Sequence, residues 1–287
     1  GAAVAIAPYD TSTMNISISG GTFTGKEALS YANPNKVANP DVTINVTGGT
    51  FSTDITEALS NAEVTSNLDD ISIVEAGGKF TVGSYVAQAG NTKYTSLEAA
   101  FAKAATGDTI TLLDNAKVHS RISINNGKKL TLDLNGHNIT NNGCRVFQIY
   151  NDGKLDVTGT GKIETTGSYL PFIVQSNITN SEEKIDSVLT IGENVEVISN
   201  DSCAIFYIGN GAVVNVRGTV NALGEYAAIQ GNGQYSVKDD NNWGRTTLNI
   251  YPGAVVTANL TTIYHPQFGG EVNVTGGVIT SKDACAI

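Results

Sequence analysis

The sequence predicts an all-β protein that folds as a parallel β-helix, a solenoid in which each turn of the chain adds one rung to stacked sheets. Three observations predict this fold. One short phrase recurs along the chain, every copy of the phrase alternates apolar and polar residues, and the composition suits strands and tight turns.

The repeated phrase is marked by the last aliphatic residue before a glycine-bearing turn, as in "KLDVTGTG", "VVNVRGTV" and "EVNVTGGV". The markers are Leu134, Val157, Ile191, Val216, Ile250 and Val274, with Ile18 and Val46 in two earlier copies. The residue two places before each marker is aliphatic in every copy, and the residue between is polar. This alternation predicts a strand with one buried face. Because one short strand per turn cannot bury that face alone, successive turns are expected to stack.

The composition agrees with this fold and excludes several classes of protein. Only 15% of the 287 residues are charged and 31 are glycine, which favours short strands and tight turns over helices. The net charge is −10 and the 17 basic residues are scattered, so we expect no nucleic-acid partner and no binding to anionic membranes. No apolar run reaches the roughly 18 residues of a membrane-spanning helix, so no membrane insertion is expected.

A capping helix is expected where the main solenoid begins, near residues 95–105 in "YTSLEAAFAKAATGD". Thr95 and Glu98 have the spacing of a capping box at the helix start. Leu97, Phe101 and Ala104 form one apolar stripe, and Gly107 is expected to end the helix. The following "GDTITLL" is then the first strand of the first coil.

The chain is expected to contain parts of two solenoids. Residues 1–83 are interpreted as the terminal coils and closing cap of an upstream β-helix, because "TDITEALSNA" predicts a short helix and "DISIVEAGGKFTVG" predicts a hairpin around Gly77 and Gly78. Residues 84–287 are interpreted as the next β-helix, truncated before a closing cap. Since the early and late phrases are interchangeable, we expect early coils, from this chain or a neighbour, to stack end to end on residues 271–287.

Two phrases carry a resemblance to a known architecture: "TSLEAAFAKAATGDTITLLDNAKV" and "KKLTLDLNGHNIT". With the coil phrases, they resemble the right-handed β-helix modules of pectin-lyase-like proteins, especially the long surface proteins of gut Gram-positive bacteria. The resemblance covers residues 84–287 well and residues 10–83 moderately. It implies an extracellular or cell-surface location. It does not select an activity, because that superfamily includes polysaccharide lyases, glycosidases, adhesins and passive stalks.

Two coils are about ten residues longer than the others, since successive markers from Leu134 lie 23, 34, 25, 34 and 24 residues apart. The extra residues, 178–187 and 233–246, are expected at one corner, where loops on a rigid scaffold often carry function. The second loop holds the candidate ligand-binding residues Tyr235, Asp239, Asp240, Trp243 and Arg245. An aromatic ring, carboxylates and a guanidinium suit a glycan. The alternative is that Trp243 anchors its own loop.

Other residues are candidates for catalysis or metal binding. Arg217 and Tyr251 each follow a marker on adjacent coils and are expected beside the second loop, where an arginine could face an acidic sugar. Asp133 and Asp156 are expected in one outward column on adjacent rungs, as a glycosidase pair, as a weak Ca²⁺ site, or as part of a polar ladder. That column continues through Thr190, Asn215, Asn249 and Asn273.

The cysteines and histidines indicate no chemical site. Three cysteines at wide spacing suit neither a disulfide framework nor a zinc site, and Cys144 and Cys203 are expected about two rungs apart, too far for a bridge. The histidines His119, His137 and His265 fall at different coil positions and are assigned no role.

The favoured function is an extracellular β-helix module of a bacterial surface protein. It would act in adhesion, in binding a glycan or a host protein, or as a structural spacer. The alternative is a polysaccharide lyase or glycoside hydrolase that works on the outer sheet face near Arg217, Tyr251 and Trp243.

Overall fold

The structure is a computed structural model that describes residues 1–176, 185–231, 245–266 and 270–287. Strands hold 50% of the residues and helices only 5%, and parallel stacked sheets form a β-solenoid of about ten turns. The predicted all-β solenoid is therefore confirmed. Among the described residues, no helix is long and apolar enough to cross a membrane. The chain divides into two compact units, Gly1–Tyr85 and Val86–Ile287.

The first unit contains seven strands and two short helical segments. In chain order these are β1 Ala2–Ile6, β2 Met14–Phe23, β3 Glu27–Tyr31, β4 Val42–Phe51, α1 Thr56–Leu59, β5 Val64–Ser66, a 3₁₀ turn Leu68–Asp70, β6 Ile71–Ala76 and β7 Lys79–Ser84. The interpretation of this unit as the end of an upstream β-helix stays a prediction.

The two early phrases of the first unit stack as parallel strands. Ile18 of β2 lies opposite Val46 of β4, as their shared position in the phrase predicted. The predicted short helix is α1, and β6 and β7 form the predicted hairpin. Gly77 and Gly78, both at positive φ, make its turn, a conformation that side-chain-bearing residues rarely adopt.

The second unit opens with a cap. It consists of β8 Ala87–Ala89, β9 Thr92–Tyr94 and α2 Leu97–Lys103, and the β8–β9 hairpin pairs antiparallel with the first strand of the solenoid. The helix lies where it was predicted, but its N-cap is Ser96 and not Thr95. Ser96 has extended backbone geometry, and its hydroxyl accepts a hydrogen bond from the Ala99 N–H at 3.2 Å. The Glu98 carboxylate instead accepts the backbone N–H of His119 at 2.6 Å, which ties the cap to the first coil.

Seven coils follow the cap, each with up to three strands. Coil 1 contains β10 Thr109–Leu112, β11 Ala116–Val118 and β12 Ile122–Ile124; coil 2 contains β13 Lys129–Asp133, β14 Ile139–Asn141 and β15 Phe147–Tyr150. Coil 3 contains β16 Lys154–Thr158, β17 Gly161–Thr165 and β18 Phe172–Gln175; coil 4 contains β19 Ser187–Ile191, β20 Val195–Ser199 and β21 Ile205–Ile208. Coil 5 contains β22 Ala212–Val216, β23 Thr219–Ala222 and β24 Ile229–Gly231; coil 6 contains β25 Thr247–Ile250, β26 Val255–Ala258 and β27 Ile263–Tyr264. Coil 7 contains β28 Glu271–Val274 and β29 Val278–Ser281.

Equivalent strands of successive coils pair in parallel and form three sheets. Sheet 1 takes the first strand of every coil, sheet 2 the second and sheet 3 the third. Rungs in such sheets lie about 4.8 Å apart. Within sheet 1, Leu155, Leu189, Val214 and Leu248 are in register and have no exposed surface. Aliphatic side chains of successive coils therefore form continuous interior columns.

The predicted register is wrong by two residues at coil 2. Leu132 and not Leu134 lies opposite the marker Val157, and Leu130 lies opposite Leu155. The chain has three alternating aliphatic residues here, and a shift of two keeps each of them on the buried face. Leu134 fills the corner after β13, ahead of a turn in which Asn135 and Gly136 both have positive φ.

The last coil is open to solvent within one chain. β28 and β29 are the end strands of their sheets, and Val274 and Val278 expose 46% and 56% of their surface. The expected stacking of early coils, from this chain or a neighbour, on residues 271–287 stays a prediction.

Candidate ligand-binding site

A hydrogen-bonded column of polar side chains runs along the outer face of sheet 1. The Asn215 amide donates to the Thr190 hydroxyl at 3.4 Å, Asn249 donates to the Asn215 carbonyl at 2.8 Å, and Asn273 donates to the Asn249 carbonyl at 3.1 Å. The residues share a column because their strands pair without a shift. Each amide has two donors and two acceptor positions, so the ladder leaves polar capacity directed at solvent.

Asp156 belongs to this column, but Asp133 does not. Asp156 lies opposite Thr131 on one side and Thr190 on the other, whereas Asp133 lies opposite Thr158. The expectation of a shared column is therefore wrong, and the two residues are diagonal neighbours about 7–8 Å apart between their Cα atoms.

The Asp133 carboxylate is held by the turn that follows it, where it accepts a hydrogen bond from the Asn135 N–H at 3.0 Å. The close pair expected of a retaining glycosidase, about 5 Å, thus has no support from the register. In the described part of the chain, no group of three or more His, Cys, Asp or Glu residues could hold a metal ion. Ca²⁺ binding stays an untested prediction.

Arg217 and Tyr251 meet at the end of the sheet 1 strands. The Arg217 Cζ lies 3.8 Å from the centroid of the Tyr251 ring, which is within the range of a cation–π contact. The rung geometry produces this contact: the Arg217 N–H donates to Ile191 at 2.9 Å, and the Tyr251 N–H donates to Val216 at 3.0 Å. Arg217 and Tyr251 therefore come directly after equivalent strands on neighbouring rungs. The Arg217 side chain is exposed, so its donors remain directed at solvent.

Both long insertions leave the solenoid at one corner, as predicted. One connects β18 to β19 and the other connects β24 to β25, so both lie between sheet 3 and sheet 1. Tyr235, Asp239, Asp240 and Trp243, together with residues 177–184, lie outside the described residues.

The structure does not bring Arg245 together with Arg217 and Tyr251. Arg245 precedes β25 and is exposed, whereas Tyr251 follows the same strand. Their six-residue separation along an extended strand corresponds to about 20 Å. Whether Arg217 and Tyr251 lie beside the second loop stays a prediction, because residues 232–244 lie outside the described residues. The described candidates themselves form two separate places on the solenoid.

Buried polar contacts hold the corner from which the insertions leave. The Ser176 hydroxyl donates to the Asn210 carbonyl at 2.7 Å and also contacts the carbonyl of Ile185. The Gly211 N–H donates to the Arg245 carbonyl at 3.1 Å. Both insertions are thus anchored at their bases to the same short corner of the coil between them.

A contact between the buried Tyr207 and the half-buried His265 was not predicted from the sequence. The hydroxyl of Tyr207, a residue with no exposed surface, forms a 2.5 Å hydrogen bond with Nδ1 of His265, and the two rings stack with centroids 5.8 Å apart. Burial raises the pKa of Tyr207, and burial also lowers the pKa of His265 against an opposing effect of the Gly270 backbone. The signal that could have found the pair is the rarity of both residue types inside an aliphatic solenoid.

The cysteines are free thiols. Cys203 is buried, and burial raises the pKa of its thiol to about 12. Cys144 donates a weak hydrogen bond to the Val118 carbonyl at 3.3 Å. A thiol with a raised pKa is a poor nucleophile, so Cys203 serves packing and not chemistry.

No protein-family model, no curated protein and no solved structure matches this chain. Functional conclusions therefore rest on the geometry of the solenoid and on the chemistry of its exposed side chains.

Proposed function

We propose that the second unit is an extracellular binding module of a bacterial surface protein and that it holds a glycan on the outer face of sheet 1. The observation that carries this proposal is the contact of the exposed Arg217 with the partly buried Tyr251 beside the polar ladder. The phrases that resemble β-helix surface modules of pectin-lyase-like architecture support the extracellular location.

The chemistry of this face suits a sugar. The ladder residues Asn215, Asn249 and Asn273 repeat an amide once per rung, and each amide can both donate to and accept from hydroxyl groups. Tyr251 supplies an aromatic body of the kind that packs against an apolar sugar face. Arg217 adds a guanidinium that suits a carboxylate or a hydroxyl.

Rigidity supports binding as the role of this surface. Backbone hydrogen bonds to the neighbouring strands hold the side chains of the polar ladder and the Arg217–Tyr251 contact in place. Little conformational entropy is then lost when a ligand binds, which favours affinity. A spacer needs the stacked interior but does not need an ordered polar face.

The test is a panel of neutral and acidic oligosaccharides titrated into the full chain by calorimetry, with and without calcium. We expect at least one glycan to bind, and we expect Arg217→Ala and Tyr251→Ala each to weaken it about ten-fold, which corresponds to 1.4 kcal/mol. Arg121→Ala is the matched control, because it removes an exposed arginine that precedes β12 of coil 1, in sheet 3 and not on the face of sheet 1.

The same samples are assayed for new reducing ends and unsaturated products. Binding without products supports the proposal. Product formation that Arg217→Ala abolishes would replace it with the alternative, a lyase or glycoside hydrolase. If no glycan binds and the variants change neither binding nor products, the unit is a spacer.

A further inference from the structure

The exposed apolar side chains of the second unit are not scattered. Outside the open last coil, five large apolar residues of its described part are substantially exposed, and all five lie on one side of the solenoid. They are Tyr169 (38%), Leu223 (52%), Tyr226 (50%), Leu260 (38%) and Tyr264 (50%). The first four lie at the corner between sheet 2 and sheet 3, and the fifth lies on the outer face of sheet 3. We call these five residues the apolar flank.

The corners of coils 3 to 6 stack directly on one another, and the corner of coil 4, between Tyr169 and the other members of the flank, contributes no exposed large apolar side chain. The Gly167 N–H of coil 3 donates to the Asp201 carboxylate of coil 4 at 3.0 Å, and the Leu223 N–H of coil 5 donates to the Ser199 carbonyl at 2.9 Å. The Asn259 side chain of coil 6 contacts the Leu223 carbonyl. Coils 3 to 6 span three rungs, so the flank extends about 14 Å along the solenoid axis.

Within coils 3 to 6 the charge at this corner has one sign, and the exposed basic residues Arg145 of coil 2 and Lys282 of coil 7 lie one rung beyond its two ends. The corner residues 166–171, 200–204, 223–228 and 259–262 contain the exposed carboxylates of Asp201 and Glu225 and no lysine, arginine or histidine. The neighbouring outward positions of sheet 3 carry neutral side chains, including Gln230 and the partly buried Phe206. A partner that covers the flank therefore needs apolar side chains together with positive charge.

We infer that the apolar flank is a docking surface for a segment of another protein that carries apolar and basic side chains. Contiguous exposed apolar patches with a polar rim are typical of protein–protein sites, where tyrosine is enriched. Leu223 and Leu260 favour a protein over a glycan, because an aliphatic side chain offers a sugar neither an aromatic face nor a hydrogen bond. This surface is separate from the sheet 1 face and does not depend on the glycan proposal.

The size of the flank sets the expected strength of the contact. A flank only three rungs long buries much less area than the interface of a stable protein complex. The interaction therefore belongs to the weak and transient class. The central residues Leu223 and Tyr226, on the same corner of coil 5, are expected to carry most of the binding energy.

The test uses a synthetic peptide of alternating leucine and lysine, and a matched peptide in which glutamate replaces lysine. Binding to the full chain is measured by fluorescence anisotropy. We expect the lysine peptide to bind and the glutamate peptide not to bind. The double variant Leu223→Ser with Tyr226→Ser is expected to weaken the lysine peptide about ten-fold, and Glu225→Lys to weaken it several-fold.

The control variant is Tyr9→Ser, which removes an aromatic side chain that is 84% exposed in the first unit. Carbodiimide cross-links between peptide lysines and protein carboxylates then locate the peptide. Residues 1–85 hold nine acidic and three basic residues and would attract any cation. The positions of the cross-links therefore distinguish binding at the flank from simple charge attraction to residues 1–85. We expect cross-links at Asp201 and Glu225.

Three outcomes overturn the inference: equal binding of both peptides, equal weakening by Tyr9→Ser and by the double variant, or cross-links concentrated in residues 1–85. Loss of neutral-glycan binding in the double variant would assign the flank to a sugar instead. Far-ultraviolet circular dichroism of each variant checks that the fold persists, which the exposure of both substituted side chains leads us to expect.

Discussion

Tyr207 and His265 form a hydrogen bond although a complete coil lies between them. Tyr207 in β21 lies opposite Gly231 in β24, and His265 follows Tyr264, which lies opposite the residue before Gly231. The intervening position therefore has no side chain, and the tyrosine hydroxyl can reach the imidazole. This contact of a buried tyrosine with a half-buried histidine links coil 4 to coil 6.

The first prediction concerns the pH dependence of the second unit. Burial lowers the pKa of His265 below its usual 6.5, so the folded state disfavours the imidazolium. As pH falls below about 6.5 the unfolded state binds a proton more readily than the folded state, and stability falls. We expect the urea midpoint to decrease between pH 7 and pH 5.

His265→Gln is the matched variant, because an amide keeps a polar partner for Tyr207 but does not titrate in this range. Its urea midpoint is expected to be flatter between pH 7 and pH 5. The carboxylates of Asp10 and Asp54 do not interfere, because hydrogen bonds lower their pKa values below 3.8 and their stabilising effect is lost only at more acid pH. An unchanged slope in His265→Gln would contradict the assignment.

The second prediction concerns the close approach of coils at Gly218, next to Arg217. A Cβ atom at this position would lie 2.2 Å from the Gly192 carbonyl oxygen and 2.4 Å from the Val195 carbonyl oxygen of the preceding coil. Backbone atoms of a stacked coil cannot move independently, so we expect Gly218→Ala to destabilise the second unit by about 1–3 kcal/mol in urea unfolding.

Gly20→Ala provides the comparison, because a Cβ atom there would meet no atom within 4 Å. Its effect on the free energy of unfolding is expected to stay within about 1 kcal/mol, the difference in backbone entropy between glycine and alanine. Equal effects of the two substitutions would show that the approach of the coils at Gly218 is not tight.

The sequence predicted the stacking of sheet 1 well and the corners of the coils poorly. From coil 3 to coil 6 each strand of sheet 1 has two inward aliphatic residues and a turn, which leaves one register. At coil 2 the three residues Leu130, Leu132 and Leu134 satisfy the alternation equally, and only the pairing with Val157 decides between them.

The candidate site was predicted in part for a related reason. The contact of Arg217 with Tyr251 follows from their equal position after two markers. Sheet 2 and sheet 3 have strands of two to five residues that carry no recurring phrase, so the residues that meet at their corners do not follow from the sequence. The pair Tyr207 and His265 depends on unequal coil lengths, which hide their proximity from any column of the sequence.

The third prediction concerns the aromatic stack inside the solenoid. Phe147 has no exposed surface and lies between Phe101 of the capping helix and Phe172 of coil 3, with ring centroids 5.5 Å and 5.3 Å away. Phe147→Ala leaves a cavity where three elements meet, and we expect it to cost about 3–5 kcal/mol in urea unfolding.

Ser123→Ala is the control for this substitution. Ser123 is exposed on the outer face of the adjacent strand of sheet 3, so its truncation changes no interior packing. We expect a change within about 0.5 kcal/mol. A cost below about 1 kcal/mol for Phe147→Ala would mean that the interior around the cap relaxes into the space and is not rigidly packed.

The last prediction concerns the polar ladder, which the glycan proposal requires to be ordered. Asn249 donates to Asn215 at 2.8 Å and accepts from Asn273 at 3.1 Å. Asn249→Asp keeps the acceptor but replaces the donor with a carboxylate that faces the Asn215 oxygen at neutral pH. We expect a loss of about 1–3 kcal/mol at pH 7, because one hydrogen bond is lost and two oxygens are opposed.

Protonation restores a donor to the aspartic acid, so the deficit of Asn249→Asp relative to the unsubstituted chain is expected to shrink as pH falls toward 4. Asn194→Asp is the control, because it adds the same charge at an exposed corner position. A deficit that is equal in both variants, or that does not change with pH, would show that the ladder contributes only charge and not directed hydrogen bonds. In that event the outer face of sheet 1 would lack the ordered amides on which glycan binding depends.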